Sequence, residues 1–83
     1  MGEIKIMDYK LLAQKYIKCG IEWLEDKFNT YEGMTTIMEV EEPLNEEQLE
    51  MLCGEIKKDF RVKTAMIDCV YNPTITVIFR KER

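Results

Sequence analysis

The chain contains no histidine, which removes the commonest general base and the commonest protein metal ligand. Cysteine is sparse and poorly placed for chemistry. Cys19, Cys53 and Cys69 are odd in number, widely spaced and form no C-x-x-C pair, so neither a disulfide framework nor a zinc site is indicated. The expectation is three reduced, mostly buried thiols that pack as small hydrophobes. With four glycines and two prolines, the chain has no G-x-x-x-x-G-K-[ST], no G-x-G-x-x-G and no G-x-S-x-G, the loops that cradle phosphates or present a nucleophile. A cysteine nucleophile would lack its usual imidazole partner. Asp68, close in sequence to Tyr71 and Asn72, is the best acidic candidate, and it reads as a polar group at a hairpin rim. No catalytic residue, metal ligand or cofactor site is therefore expected.

Long apolar runs are missing too. Nothing approaches the ~18 residues of a membrane span, and Met1–Met7 lacks the basic start and apolar stretch of a signal peptide. The expectation is a cytoplasmic protein with no membrane partner.

What is present is an ordinary globular composition. Of 83 residues, 46 % are apolar and 34 % charged, enough apolar surface for one modest core and too much for a disordered chain. The whole chain, 1–83, is read as a single α+β domain.

The pattern of elements is α-β-α-β-β. Asp8 is a plausible cap for a helix over 8–28. Its broad apolar stripe takes in Leu12, Tyr16, Cys19 and Trp23, flanked by Ala13, Ile17, Gly20, Leu24 and Phe28. Residues 1–7 read either as an extra strand, from the alternation Glu3-Ile4-Lys5-Ile6, or as a backward extension of that helix. Thr35–Glu41 is rich in β-branched residues and reads as a strand ended by Glu42-Pro43. Asn45 and Gln48 form a capping box before a second helix, with Leu44 and Leu49 placed as a hydrophobic staple. Leu49, Leu52, Cys53, Ile56 and Phe60 mark the buried face of that helix. Val62–Val70 and Thr74–Arg80, joined by Tyr71-Asn72-Pro73, read as an antiparallel hairpin.

A right-handed crossover through the second helix sets the first strand parallel to the second. The simplest sheet then places the last strand between them, as in a split β-α-β unit. The expected architecture is a mixed sheet of three strands, or four with the N-terminal segment, carrying both helices on one face. Each helix contains a Cys-Gly pair, Cys19-Gly20 and Cys53-Gly54. Glycine costs about 1 kcal/mol inside a helix, so a close approach is expected at each, most simply between the helices.

Charge is unevenly spread. Net charge is −4 and the pI near 4.9. Six of the twelve residues from Glu39 to Glu50 are glutamate. Glu39, Glu41, Glu42, Glu46 and Glu47 form an expected acidic rim, suited to a basic partner. Pro43 and the helix cap interrupt the run, so a calcium loop is not indicated. At the opposite end, Lys57, Lys58, Arg61, Lys63, Arg80, Lys81 and Arg83 should converge as a basic patch able to bind phosphates. No aromatic and glycine-rich RNA-binding signature accompanies it.

The sheet's second face carries the functional expectation. If Ala65, Ile67 and Cys69, with Ile75, Val77 and Phe79, face the helices, then Met66, Val70 and Ile78 turn outward with Thr64, Asp68, Thr76 and Arg80. With Met38 and Val40 inward, Ile37, Glu39 and Glu41 join that outer set. Ile37, Met66, Val70 and Ile78 make the face more apolar than a solvated sheet face usually is. Such a patch marks an interface. The chain therefore reads as a non-enzymatic protein-binding module, acting as a homodimer or on another protein. In size, acidity and want of catalytic residues it is similar in type to small phage- or plasmid-encoded inhibitors and adaptors of host proteins. The alternative is a nucleic-acid-binding domain that uses the basic end of the sheet.

Overall fold

A computed structural model of the chain describes residues 8–68 and 72–81. The strand-or-helix question at 1–7, and the places of Cys69, Val70, Tyr71 and Arg83, lie outside these residues. Helix α1 runs Tyr9–Phe28. It starts where Asp8, in extended backbone, accepts a hydrogen bond from the Leu11 N–H at 3.1 Å, satisfying one of the first-turn donors that a helix leaves unpaired. It stops at Asn29, whose left-handed backbone (φ 67°) lets its N–H return to the Glu25 carbonyl.

Strand β1 spans Thr35–Glu39, with one further ladder bond from the Val40 N–H to the Pro73 carbonyl. Helix α2 spans Glu46–Lys57 and carries the full capping box: Asn45 Oδ1 accepts from the Gln48 N–H at 2.8 Å, and Gln48 Oε1 from the Asn45 N–H at 2.9 Å. Strands β2, Val62–Asp68, and β3, Thr74–Phe79, complete the order α-β-α-β-β.

The sheet order is β1-β3-β2. β1 and β2 run the same way, as the crossover requires, but β3 lies between them and opposes both. Every hydrogen-bonded pair is thus antiparallel, and the sheet is not mixed. Along β2 the register passes from Val62↔Phe79 to Thr64↔Ile78, so Lys63 is an extra residue, a β-bulge. The bulge keeps Val62, fully buried, on the same face as Ala65, which strict alternation would forbid.

Both helices cover the face made by Val62, Ala65, Ile75, Val77 and Phe79. Ile17 and Leu24 from α1, and Leu52 and Ile56 from α2, close the core. α1 lies over β1 and β3. A Cβ built on Gly20 would stand 2.8 Å from Thr36 Cγ2 and 3.5 Å from Met38 Cε and Phe79 Cζ. The close approach expected of the helical glycines is therefore between α1 and the sheet, not between the helices. Gly54 has nothing within 4 Å of such an atom.

Two expectations about the core are corrected. The buried stripe of α1 is narrower than its apolar stripe: Ala13, Tyr16, Ile17, Gly20 and Leu24 are buried, whereas Cys19, Trp23 and Phe28 are exposed. The reason is position: α1 sits at the β1 side of the sheet, and no described element covers its outer flank. Phe60 is 80 % exposed, because α2 ends at Lys57 and Phe60 falls in the following turn rather than on a further helical turn. Among the described residues no helix is long and apolar enough to cross a membrane.

Candidate functional site

The outer face of the sheet is ordered in three cross-strand rows. Thr35, Ile78 and Thr64 form the first, Ile37, Thr76 and Met66 the second, and Glu39, Thr74 and Asp68 the third. Ile37 is 67 % and Met66 50 % exposed, while Ile78 is half-buried between threonines. The structure thus brings together three of the four expected contact residues, and Val70 falls outside the described residues. Threonines surround the apolar side chains, and the carboxylates stand at one end.

This face continues onto a bare edge. The Phe79 N–H donates to the Met34 carbonyl at 2.9 Å and the Val40 N–H to the Pro73 carbonyl at 3.0 Å. Given the register Thr35↔Ile78, the even-numbered residues of β1 are the ones that exchange hydrogen bonds with β3. Thr35, Ile37 and Glu39 then point their N–H and C=O groups away from the sheet, and no described residue pairs with them. Sheet edges are usually guarded by bulges, lysines or prolines. β2 has both a bulge and Lys63, while β1 has none of these devices. Above the β1 edge, Cys19 and Trp23 overhang an open groove floored by Thr35, Thr36, Ile37 and Met38. Trp23 packs edge-on against Phe28 at 6.3 Å between centroids.

The acidic rim divides. Glu39 and Glu41 are exposed at the end of β1, and Glu46 and Glu47 in the first turn of α2. Glu42 turns inward instead. It accepts from Lys15 Nζ at 2.7 Å and from the Tyr16 hydroxyl, which itself accepts from the Glu41 N–H at 3.1 Å. Burial works to raise the Glu42 carboxyl, but these two donors outweigh it and hold it below the usual carboxylate range. Burial, reinforced by Glu42, pushes the Tyr16 phenol up to about 12. Glu42 is therefore a latch between the β1–α2 loop and α1.

The basic residues do not form one patch. Arg61 is tied back to Asp59, through Nε to Oδ1 and Nη2 to Oδ2, each at 3.0 Å, and Gln14 donates to the same carboxylate. Chiefly through Arg61, Asp59 is held down at about 2. Lys58 pairs with Glu55 at 3.0 Å. Lys57 lies by Cys53 and Met66 in a separate hollow between α2 and β2, and Lys63 is exposed on the bulge. Only Arg61, Arg80 and Lys81 converge, in a groove with Glu32 and two aromatic rings, Tyr31 and Phe60. Antiparallel pairing draws Arg80 there, its N–H bonded to the Arg61 carbonyl at 2.8 Å. The Arg61 guanidinium lies 5.4 Å from the centre of the Phe60 ring.

Chemistry beyond binding has little to work with. Among the described residues no cluster of cysteine and carboxylates could hold a metal ion. Burial pushes the Cys53 thiol up, away from the thiolate form. Cys19, expected inside, is exposed. Asp68 ends β2 at the surface, paired across the sheet with Thr74. Sequence reading missed Trp23 and Cys19 as groove residues and Phe60 as a surface aromatic. The signal for the first two was an α1 stripe wider than one sheet can bury. No family model, curated protein or solved structure matches the chain.

Proposed function

We propose that this chain is a non-enzymatic protein-binding module, whose contact surface is the outer sheet face around Ile37, Met66 and Ile78 together with the open edge of β1. One observation carries the reading: exposed apolar side chains lie directly beside backbone donors and acceptors that no described residue satisfies. A partner strand would satisfy those groups through main-chain hydrogen bonds, and the flanking side chains would set its identity. Burying one such side chain fully is worth about 1.5–3 kcal/mol. Glu39 and Glu41 beside the edge favour a partner with cations at the matching place. An inhibitor or adaptor of a host protein and a self-associating protein both fit this surface.

The test is the double variant Ile37→Glu/Met66→Glu. Both positions are exposed, so the fold should persist by circular dichroism while association is lost, whether with itself or with a protein that the wild type captures from its host. A wild type that is monomeric, and whose captured proteins are unchanged in the double variant, would overturn the reading.

The groove of Tyr31, Phe60, Arg61, Arg80 and Lys81 favours a second reading. Cations beside exposed rings suit single-stranded nucleic acid, where bases stack and phosphates pair. This predicts binding of a labelled oligonucleotide that weakens steeply with salt and is lost in Arg80→Glu/Lys81→Glu. No binding at low salt would remove it.

A further inference from the structure

The geometry points to a second copy of this chain as the occupant of the β1 edge, joined antiparallel about a two-fold axis through Ile37 to make one continuous sheet. The inference rests on the reading of this surface as a protein-binding site and names what binds there.

Self-pairing fits the register of the free groups. With Ile37 opposite the partner copy's Ile37, Thr35 falls opposite Glu39, and Glu39 opposite Thr35. All of the outward-facing residues of β1 then form narrow hydrogen-bonded pairs, about six bonds in all. A slip that set Glu39 against its own copy would oppose like charges directly, which is unfavourable in a cross-strand pair. Slips in the other direction lose pairs.

Charge fits the same register. One end of β1 carries Glu39 and Glu41, exposed. The other leads back to Gly33, whose N–H bonds to the Arg80 carbonyl and whose Cβ position would lie 3.5 Å from the Lys81 side chain. The two-fold axis brings Glu41 of each copy opposite Gly33 of the other, and hence beside its Lys81. The acidic end of one copy meets the basic end of the other, twice.

The two-fold axis stands perpendicular to the sheet, so both helix layers stay on one side. The outer flanks of the two α1 helices, with Cys19 and Trp23, approach each other above the joined edges. On the opposite face the two Ile37 side chains become neighbours. This accounts for the apolar width of α1: the part of its stripe that its own sheet leaves uncovered is the part a second copy covers. β2 cannot serve the same purpose, because the bulge at Lys63 interrupts its edge.

Sedimentation equilibrium on the full chain tests the assignment. The wild type should weigh twice its 9.9 kDa and dissociate on dilution. Ile37→Pro should be a folded monomer, since that N–H is not bonded to β3 and proline is tolerated on the open side of an edge strand. Glu41→Lys and Lys81→Glu should each weaken the dimer about fivefold at low salt, and the double swap should restore it. A folded Ile37→Pro that still dimerises, or a double swap no tighter than the single ones, overturns the edge pairing. If Met66→Glu then breaks that dimer, the sheet face is the contact and the binding reading stands. A wild type that stays monomeric overturns the dimer. In that case, amides 35, 37 and 39 that exchange slowly at every dilution assign the edge to the chain's own first seven residues. A monomer whose Ile37→Glu/Met66→Glu variant loses a host protein assigns the site to that protein. A monomer with neither property overturns both the dimer and the binding reading.

Discussion

The two glycines inside helices should respond to the same substitution with opposite signs. Gly54 lies within α2, and a methyl group there meets nothing within 4 Å. Gly54→Ala should therefore return the ordinary helix-propensity gain of about 1 kcal/mol. In thermal unfolding of a domain this size, that is a rise of roughly 4–8 °C. Gly20→Ala has the same propensity gain, but its methyl would stand 2.8 Å from Thr36 Cγ2. Thr36 is buried, with 5 % exposure, and its branched side chain cannot swing aside as a long chain would. Helix α1 must lift from β1, and overpacking of this kind costs about 1–3 kcal/mol. The net result should be a loss of up to about 2 kcal/mol after the propensity gain is subtracted. Thr36→Ser removes the offending methyl and keeps the hydroxyl, so in the Gly20→Ala background it should recover much of the loss. Urea unfolding of the singles and the double gives the coupling directly. If Gly20→Ala stabilises as much as Gly54→Ala, α1 is not seated on β1 at Gly20, and the groove beneath Trp23 is misplaced with it.

Other perturbations probe the contacts that frame the surface. The folded carboxyl of Asp59 is depressed to about 2 from 3.8, so its contribution is present above pH 4 and is lost as pH falls through 2. Urea titrations should show roughly 2 kcal/mol of acid-labile stability that Asp59→Asn lacks. The Tyr16 phenol is raised to about 12 from 10.0, so its contribution is complete below pH 10 and is lost as pH climbs through 12. Tyr16→Phe should cost about 1–2 kcal/mol at neutral pH and flatten that alkaline loss, both measurable by denaturant unfolding. Thiol alkylation followed by peptide mass spectrometry should modify exposed Cys19 well before buried Cys53 in the native chain. Equal rates would contradict the depth of α2 on the sheet.

Much of the architecture was legible because local signals agreed with one another. Asn45 and Gln48 specify the start of α2 without tertiary help, and the alternation in β3 puts Ile75, Val77 and Phe79 under the helices as expected. The strand order followed from crossover handedness and a short hairpin. The misreadings came where helical period was continued past a local stop or beyond available cover. Phe60 keeps a helical spacing from Ile56 but lies after the helix end, where Asp59 holds the turn through Arg61. Trp23 and Cys19 keep the stripe of α1, yet the sheet beneath is too narrow to cover them. Spacing records which residues share a helix face, not how much surface lies opposite it. The bulge at Lys63 and the inward turn of Glu42 depend on contacts between distant segments, which single-sequence periodicity does not encode. The outer-face residues Ile37, Met66 and Ile78 were legible because side-chain period in a strand is strict. The open edge was not, since only the sheet order reveals which strand ends the ladder.

Backbone amide exchange along β1, followed by nuclear magnetic resonance as the chain is concentrated, addresses the binding surface most directly. Thr36 and Met38, bonded within the sheet, should be slow throughout, while Thr35, Ile37 and Glu39 should pass from fast to slow as a second copy docks. Odd-numbered amides that stay fast at every concentration, and stay fast with any captured protein present, would mean that nothing binds this edge.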